Sequence, residues 1–117
     1  MSNVVIYHNP RCSKSRQTLA LLQARGIAPE QVLYLETPPA PAELRRLLKR
    51  LKMSARDLLR KGETEYKALN LTDNALSETQ LIEAMSAHPR LIERPIVVLG
   101  DKAVIGRPPE NVLELIS

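Results

Sequence analysis

Residues 4–16 have the sequence Val4-Val5-Ile6-Tyr7-His8-Asn9-Pro10-Arg11-Cys12-Ser13-Lys14-Ser15-Arg16. The first four are β-branched or aromatic, a composition that predicts a buried strand. Apolar residues at helical spacing, among them Leu19 and Leu22, predict a helix over Ser13 to Arg25. Cys12 therefore lies at or just before a helix N-terminus. Free backbone N–H groups and the positive end of the helix dipole favour a thiolate at that position.

Cations surround Cys12, which is the only cysteine in the chain. Arg11, Lys14 and Arg16 carry positive charge close to it in sequence, and His8 adds a further cation when protonated. Polar neighbours on both sides argue against the other common place for a free cysteine, which is a buried position in the apolar core. We therefore predict a reactive thiolate nucleophile suited to an anionic substrate.

Composition restricts the kinds of site and partner. A chain of 117 residues is one domain by length, and its net charge of +4 permits a nucleic-acid partner without requiring one. Three tyrosines without phenylalanine or tryptophan provide few of the stacking side chains that single-strand and RNA binders use. One cysteine allows no internal disulfide, and His8 and His88 are too far apart for a usual zinc motif. We expect no nucleic-acid partner, no metal and no bound cofactor.

Apolar residues are distributed too evenly for a membrane protein. No run approaches the roughly 18 apolar residues of a membrane-spanning helix, and the N-terminus lacks the pattern of a signal peptide. We expect no membrane association and a cytoplasmic location, where glutathione keeps thiols reduced.

Helical patterns dominate the middle of the chain. Val32 to Leu35 predicts a second strand, which completes a strand–helix–strand unit. Leucines at 44, 47, 48 and 51 then predict an amphipathic helix with a basic outer face, a usual solvated surface. Short helices are expected at 55–59 and 65–69, and a capping box at Ser77–Gln80 predicts the start of another helix.

The C-terminal part returns to strands. Pro95 to Leu99 and Ala103 to Ile105 predict an antiparallel hairpin, and Pro108 begins a last helix. The order is a βαβ unit, a helical insert over about 41–92, and a ββα unit. It predicts one α/β domain over 1–117 with a mixed sheet of thioredoxin type, glutaredoxin-like in its connections.

Three arginines have positions that suggest more than surface charge. Arg94 precedes Pro95 at a strand start, where a functional cis peptide bond is favoured. Arg107 follows the second strand of the hairpin, and Arg60 closes a short helical turn. Each alone is typical of solvated surface, but three guanidinium groups around one thiolate would bind a tetrahedral oxyanion through paired hydrogen bonds. Sequence spacing alone does not bring them together.

Taken as a set, these motifs resemble those of the glutaredoxin-linked arsenate reductases over the whole chain. The matching segments are Tyr-His-Asn-Pro-x-Cys-x-x-Ser-Arg at 7–16, Arg60, Glu93-Arg94-Pro95-Ile96-Val97 and Ile105-Gly106-Arg107-Pro108. The resemblance implies a thioredoxin-like fold in which Cys12 attacks arsenate while Arg60, Arg94 and Arg107 hold the oxyanion. It also implies that glutathione, as co-substrate, attacks the adduct, glutaredoxin removes the glutathione, and arsenite leaves. His8, Ser15 and Lys14 would support the thiolate.

One departure from that family keeps the substrate open. Its arsenate-resistance members usually carry Gly-Thr after the cysteine, whereas this chain has Ser13-Lys14. A glutathione-dependent thiol oxidoreductase with another oxyanion or a different substrate is therefore the main alternative.

Two further classes of protein fit the motif around Cys12 less well. A thiol-sensing regulator that binds RNA polymerase commonly uses Cys-x-x-Cys, and Ser15 occupies the second position here. A low-molecular-weight phosphatase needs Cys-x5-Arg, and Cys12 to Arg16 gives Cys-x3-Arg.

Overall fold

A mixed four-stranded sheet is the framework of the chain in a computed structural model that describes residues 3–116. Its strands are β1 (Val4–Tyr7), β2 (Glu30–Val32), β3 (Ile96–Leu99) and β4 (Lys102–Ile105), in the order β2-β1-β3-β4. β1 is parallel to β2 and antiparallel to β3, which in turn is antiparallel to β4. The predicted α/β fold with a mixed, thioredoxin-like sheet is confirmed.

Helix α1 (Ser13–Ala24) follows β1 and packs on this sheet through its apolar residues. The short helix α6 (Val112–Ile116) lies against β3 and β4. The buried core of this part consists of Val4, Ile6, Leu22, Val97 and Val112. A fully buried leucine such as Leu22 contributes about 1.5–3 kcal/mol relative to an exposed one. This packing fixes the first turn of α1 beyond the end of β1.

The second strand is displaced from its predicted position. It spans Glu30–Val32, not Val32 to Leu35, and pairs in register with β1 from Val5↔Glu30 to Tyr7↔Val32. Glu30 and Gln31 are exposed on this edge strand, so they show no apolar pattern. The apolar run instead enters a turn, in which the Leu33 carbonyl accepts hydrogen bonds from two later N–H groups. Tyr34 is buried there, which explains the run without a strand.

The described residues form two compact units. The sheet unit takes the described parts of Met1–Thr37 and Arg94–Ser117, and the helical unit takes Pro38–Glu93. The helical unit contains α2 (Pro41–Leu51), α3 (Ala55–Leu58), α4 (Thr64–Ala68) and α5 (Glu78–Ala87). None of the helices in the described part of the chain is long and apolar enough to cross a bilayer.

Two helices of the helical unit confirm the sequence patterns that predicted them. α2 buries Leu44, Leu47 and Leu48 and exposes its basic face. At the start of α5, Ser77 Oγ accepts the Gln80 N–H at 3.1 Å, and Gln80 Oε1 accepts the Ser77 N–H at 2.8 Å. This reciprocal capping box satisfies two backbone donors that the first helical turn leaves without partners.

Replacing Ser77 with Ala should therefore lower the free energy of unfolding by about 1 kcal/mol, because the Gln80 N–H loses its acceptor. Urea unfolding followed by circular dichroism measures the change. Thr72→Ala, at an exposed turn position in the same unit, is the matched control and should stay within about 0.5 kcal/mol of the parent chain. Equal stability of the two variants would contradict the capping argument.

Candidate active site

A tight turn places Cys12 at the N-cap of α1. The Asn9 carbonyl accepts the Cys12 N–H at 3.0 Å, and Asn9 Oδ1 accepts the Arg11 N–H at 3.0 Å. Cys12 itself is extended, with φ −95° and ψ 123°, and its carbonyl accepts the Arg16 N–H at 3.0 Å to begin the helix. The predicted position of the cysteine at a helix N-terminus is confirmed, and Cys12 lies next to the free N–H groups of the first helical turn.

The electrostatic surroundings of Cys12 favour the thiolate. Burial on its own would raise the pKa of the thiol, because a charged sulfur loses solvation. The Ser15 backbone N–H, the hydrogen bond and charge of Arg94, and the Lys14 backbone N–H outweigh burial, so the pKa lies below its ordinary value. A buried sulfur with a lowered pKa is a nucleophile held in place by fixed donors.

Sheet register brings two of the predicted arginines to this sulfur. Tyr7 at the end of β1 pairs with Ile96 at the start of β3, which pairs with Ile105 at the end of β4. The segments after Tyr7, before Ile96 and after Ile105 therefore meet at one end of the sheet. These segments carry Cys12, Arg94 and Arg107.

Arg107 bridges the other two members of this group. Its Nη2 lies 3.6 Å from Cys12 Sγ, within range of a hydrogen bond to sulfur, and its Nε donates to the Arg94 carbonyl at 2.7 Å. Asn111 Nδ2 donates to the Arg107 carbonyl at 2.9 Å and to the Ile105 carbonyl at 3.2 Å. Main chain and side chain of Arg107 are thus both fixed.

The peptide bonds that follow the two arginines are cis. The Arg94–Pro95 bond is the one that the sequence favoured, and the Arg107–Pro108 bond was not predicted.

His8 and Ser15 form a buried pair behind the cysteine. His8 Nδ1 lies 2.6 Å from Ser15 Oγ, which also accepts the Asn9 N–H at 3.0 Å. Burial and the charge of Arg16 lower the pKa of His8, so its imidazole is neutral at pH 7. The expectation that His8 adds positive charge is therefore wrong. The pair instead holds Ser15, whose backbone N–H is among the groups that lower the Cys12 pKa.

Lys14 contributes through its backbone. Its N–H is among the groups that lower the Cys12 pKa, while its side chain is exposed at the start of α1. Arg11 is exposed as well. Arg16 is also exposed, and its Nη1 donates to the Pro10 carbonyl at 2.9 Å, which closes the turn from outside. The rim of the site is therefore basic.

Arg60 belongs to the helical unit and is surrounded there by carboxylates. Its Nη1 lies 2.9 Å from Glu93 Oε1, and its Nε lies 3.7 Å from Glu63 Oε2. Glu63 also pairs with the more exposed Arg90 at 3.3 Å. These ion pairs hold the Arg60 guanidinium in one orientation, and its predicted role toward an oxyanion stays a prediction.

Two site residues had no assigned role in the sequence analysis. Asn9 organises the turn before Cys12, and Asn111 holds the segment that carries Arg107. An Asn-Pro pair is a known turn signal and could have indicated Asn9. Asn111 had no comparable signal, because its partners are carbonyl groups exposed by a loop conformation. Across residues 3–116, no cluster of three or more His, Cys, Asp or Glu side chains is placed to hold a metal ion.

Comparison with known proteins shows the family to which the chain belongs. A family model described as the ArsC family matches residues 7–115. The chain belongs to the ArsC family. An arsenate reductase of Haemophilus influenzae is 51% identical over 115 residues, which are 97% of this chain and 99% of that protein. The uncharacterized Escherichia coli K12 protein YfgD is 63% identical over 97% of both chains.

Solved ArsC structures share the fold closely. The structure of an arsenate reductase from Vibrio cholerae superposes with a TM-score of 0.95 at 56% identity and covers 97% of both chains. The membership of the ArsC family that the sequence motifs predicted is thereby confirmed, and the link to glutaredoxin stays a prediction.

Replacing Arg94 with Gln should raise the Cys12 pKa, because both the hydrogen bond and the charge that favour the thiolate are lost. Alkylation rate against pH gives this pKa, and in the parent chain its midpoint should lie below the value of about 8.5 for a free thiol. Arg11→Gln is the matched control, since it removes an exposed cation next to Cys12 in sequence. Equal shifts in both variants would show that general positive charge, not Arg94, sets the pKa.

Proposed function

We propose that this ArsC-family chain reduces arsenate to arsenite, with Cys12 as the nucleophile. The observation that carries the proposal is the contact of Cys12 Sγ with Arg107 Nη2 at 3.6 Å, beside an Arg94 guanidinium that also stabilises the thiolate. A thiolate with two guanidinium groups beside it, that of Arg107 held by the Arg94 carbonyl, fits a small tetrahedral oxyanion and leaves little reason for a neutral substrate. Named arsenate reductases among the relatives support the same substrate.

Oxyanion binding follows from the charges at this end of the sheet. Arsenate approaches a negatively charged sulfur, so fixed cations must neutralise its oxygens. Guanidinium groups can do this with two parallel hydrogen bonds each, which also orient the arsenic atom toward the sulfur. Arg94 and Arg107 supply this function, and Arg60 is the third member by resemblance to the family.

Chemistry begins when the Cys12 sulfur attacks arsenic. A sulfur–arsenic bond forms, and one arsenate oxygen leaves as water after it takes up protons. Reduction of As(V) to As(III) then needs two electrons, which two thiols provide as they join in a disulfide. Overall, arsenate and two thiols give arsenite, one disulfide and one water.

Glutathione is the proposed source of reducing thiol. The chain has a single cysteine, so it cannot form an internal disulfide and must release its oxidising equivalent to another molecule. A glutathione thiol attacks the adduct and joins Cys12 in a disulfide, while the sulfur–arsenic bond breaks and arsenite leaves. A glutaredoxin thiol then accepts the glutathione by disulfide exchange and restores the Cys12 thiolate. This cycle is compatible with a cytoplasmic location, where glutathione is abundant and reduced.

A second candidate is a glutathione-dependent thiol oxidoreductase with another substrate. The observation that favours it is Ser13-Lys14 in place of the Gly-Thr usual in arsenate-resistance members, since the exposed Lys14 ammonium adds charge at the rim. A thiol-sensing RNA-polymerase-binding regulator is disfavoured, because Ser15 is buried against His8 where such proteins commonly have a second cysteine.

Arsenate should stimulate NADPH oxidation in an assay with glutathione, glutathione reductase and glutaredoxin, and Cys12→Ser should abolish this stimulation. An alcohol has too high a pKa to supply the nucleophile at neutral pH. Without glutaredoxin, mass spectrometry should find glutathione attached to Cys12 after exposure to arsenate.

Each outcome of that assay separates the candidates. Turnover without any added thiol would contradict the cycle. Glutathione-dependent turnover of another substrate, with none of arsenate, would favour the second candidate.

Arg60→Lys, Arg94→Lys and Arg107→Lys should each leave the protein folded and lower arsenate kcat/KM at least tenfold, or about 1.4 kcal/mol of transition-state stabilisation. Lysine keeps the charge and loses the paired hydrogen bonds. Steady-state kinetics in the coupled assay measures the change, with exposed Arg25→Lys as the control for a general loss of guanidinium. Parent-like kinetics in two of the three variants would refute the oxyanion pocket.

A further inference from the structure

Gly106 lies just after β4 and packs tightly against Thr18 of α1. A Cβ built on Gly106 would be 2.5 Å from Thr18 Oγ1, 3.0 Å from Thr18 Cγ2 and 2.9 Å from Pro95 Cγ. Gly106 does not have the positive φ that Gly26 and Gly100 adopt. The position thus requires glycine for space and not for backbone freedom.

The atom opposite Gly106 cannot easily move away. Thr18 is completely buried, and its Oγ1 donates to the Lys14 carbonyl at 2.8 Å while lying 3.4 Å from the Gly106 carbonyl. The first of these bonds holds the Thr18 hydroxyl against its own helix, the helix that begins after Cys12. On the other side, the Gly106 N–H donates to the Pro95 carbonyl at 2.9 Å.

These contacts connect Gly106 to both sides of the cysteine site. Thr18 belongs to the helix capped by Cys12, and Pro95 follows Arg94 directly. Arg107 is the next residue in the chain, and its side chain connects the same two parts of the site. Its Nε donates to the Arg94 carbonyl at 2.7 Å, and its Nη2 lies 3.6 Å from Cys12 Sγ. The contact to sulfur is a single hydrogen bond at 3.6 Å, so a displacement of the segment that carries Arg107 can remove it.

We infer that Gly106 is a positioning residue, whose missing side chain lets α1 and the end of β4 approach closely enough for Arg107 to reach the Cys12 sulfur. An added methyl group would have to move by about 1 Å to reach ordinary van der Waals distance from Thr18 Oγ1. A displacement of that size at a reacting centre can cost about a hundredfold in rate. The consequence for turnover rests on the proposed arsenate reduction, whereas the position of Arg107 does not.

Two alkylating reagents test the position of Arg107 without arsenate. Iodoacetate is an anion and iodoacetamide is neutral. The rate constant of iodoacetate with Cys12 divided by that of iodoacetamide therefore reports fixed positive charge at the sulfur. Gly106→Ala should lower this ratio at least threefold, as should Arg107→Gln. Adding Gly106→Ala to Arg107→Gln should change nothing further, because both act through one guanidinium group. Gly62→Ala is the matched control, since a Cβ there would meet no atom within 4 Å.

A second-site change tests the contact itself. Thr18→Ala removes both threonine atoms that face Gly106, so the ratio in Gly106→Ala/Thr18→Ala should lie between those of Gly106→Ala and the parent chain. If Gly106→Ala does not fold, the double variant decides, and a ratio below that of the parent supports the inference. A parent-like ratio in folded Gly106→Ala, or full additivity with Arg107→Gln, would overturn the inference. If Gly106→Ala does not fold, a parent-like ratio in Gly106→Ala/Thr18→Ala would also overturn it, and so would failure of that double variant to fold.

Arsenate turnover provides the separate readout. The kcat/KM of Gly106→Ala should fall at least tenfold and partly recover in the double variant. If the parent chain reduces no arsenate but the variants still show changed alkylation ratios, the positioning role stays intact. That outcome would refute the proposed function alone.

Discussion

The cysteine site depends on keeping a negative sulfur stable in a buried position. Burial alone favours the neutral thiol, so a thiolate at Cys12 exists only where fixed donors replace the water it loses. Backbone N–H groups of Lys14 and Ser15 provide part of this compensation, and the Arg94 guanidinium provides another part. Ser15 is held by His8, and Arg107 is held by the Arg94 carbonyl and by Asn111, so much of the site is organised before a substrate arrives. The same donors suit the oxygens of an anion that approaches the sulfur.

Sheet topology determines which residues can serve as those donors. Because β1 and β4 both lie antiparallel to β3, the C-terminal ends of β1 and β4 and the N-terminal end of β3 meet at one end of the sheet. Segments far apart in sequence are thereby placed around Cys12. Gly106 completes the arrangement, because the absence of a Cβ allows α1 to approach the end of β4. The capping turn at Asn9 and the bonds of Asn111 then set the final positions of the sulfur and of Arg107.

Local patterns predicted the elements that carry the site better than the contacts that assemble it. Runs of β-branched and other apolar residues identified β1 and the β3–β4 hairpin, and helical periodicity identified α1, because these segments contribute buried apolar residues to the core. They misplaced β2, whose exposed Glu30 and Gln31 form an edge strand without an apolar signal. The positive charge considered for His8 also depends on tertiary structure. Burial lowers the pKa of His8, and no neighbouring residue in the sequence reveals that burial. Convergence of Arg94 and Arg107 depends on strand register, which spacing along the chain does not contain.

The departure at Ser13-Lys14 has a structural interpretation in this arrangement. Both residues are exposed, while the backbone N–H of Lys14 is among the groups that lower the Cys12 pKa. A change of residue type at these two positions therefore leaves the donors to the thiolate in place, because those donors belong to the main chain. What changes is the rim, where the Lys14 ammonium adds a mobile cation beside the exposed Arg11 and Arg16. At Lys14, thiol activation depends on the backbone N–H, whereas selection of the molecule that reaches the thiol depends on the ammonium group, so one can change without the other.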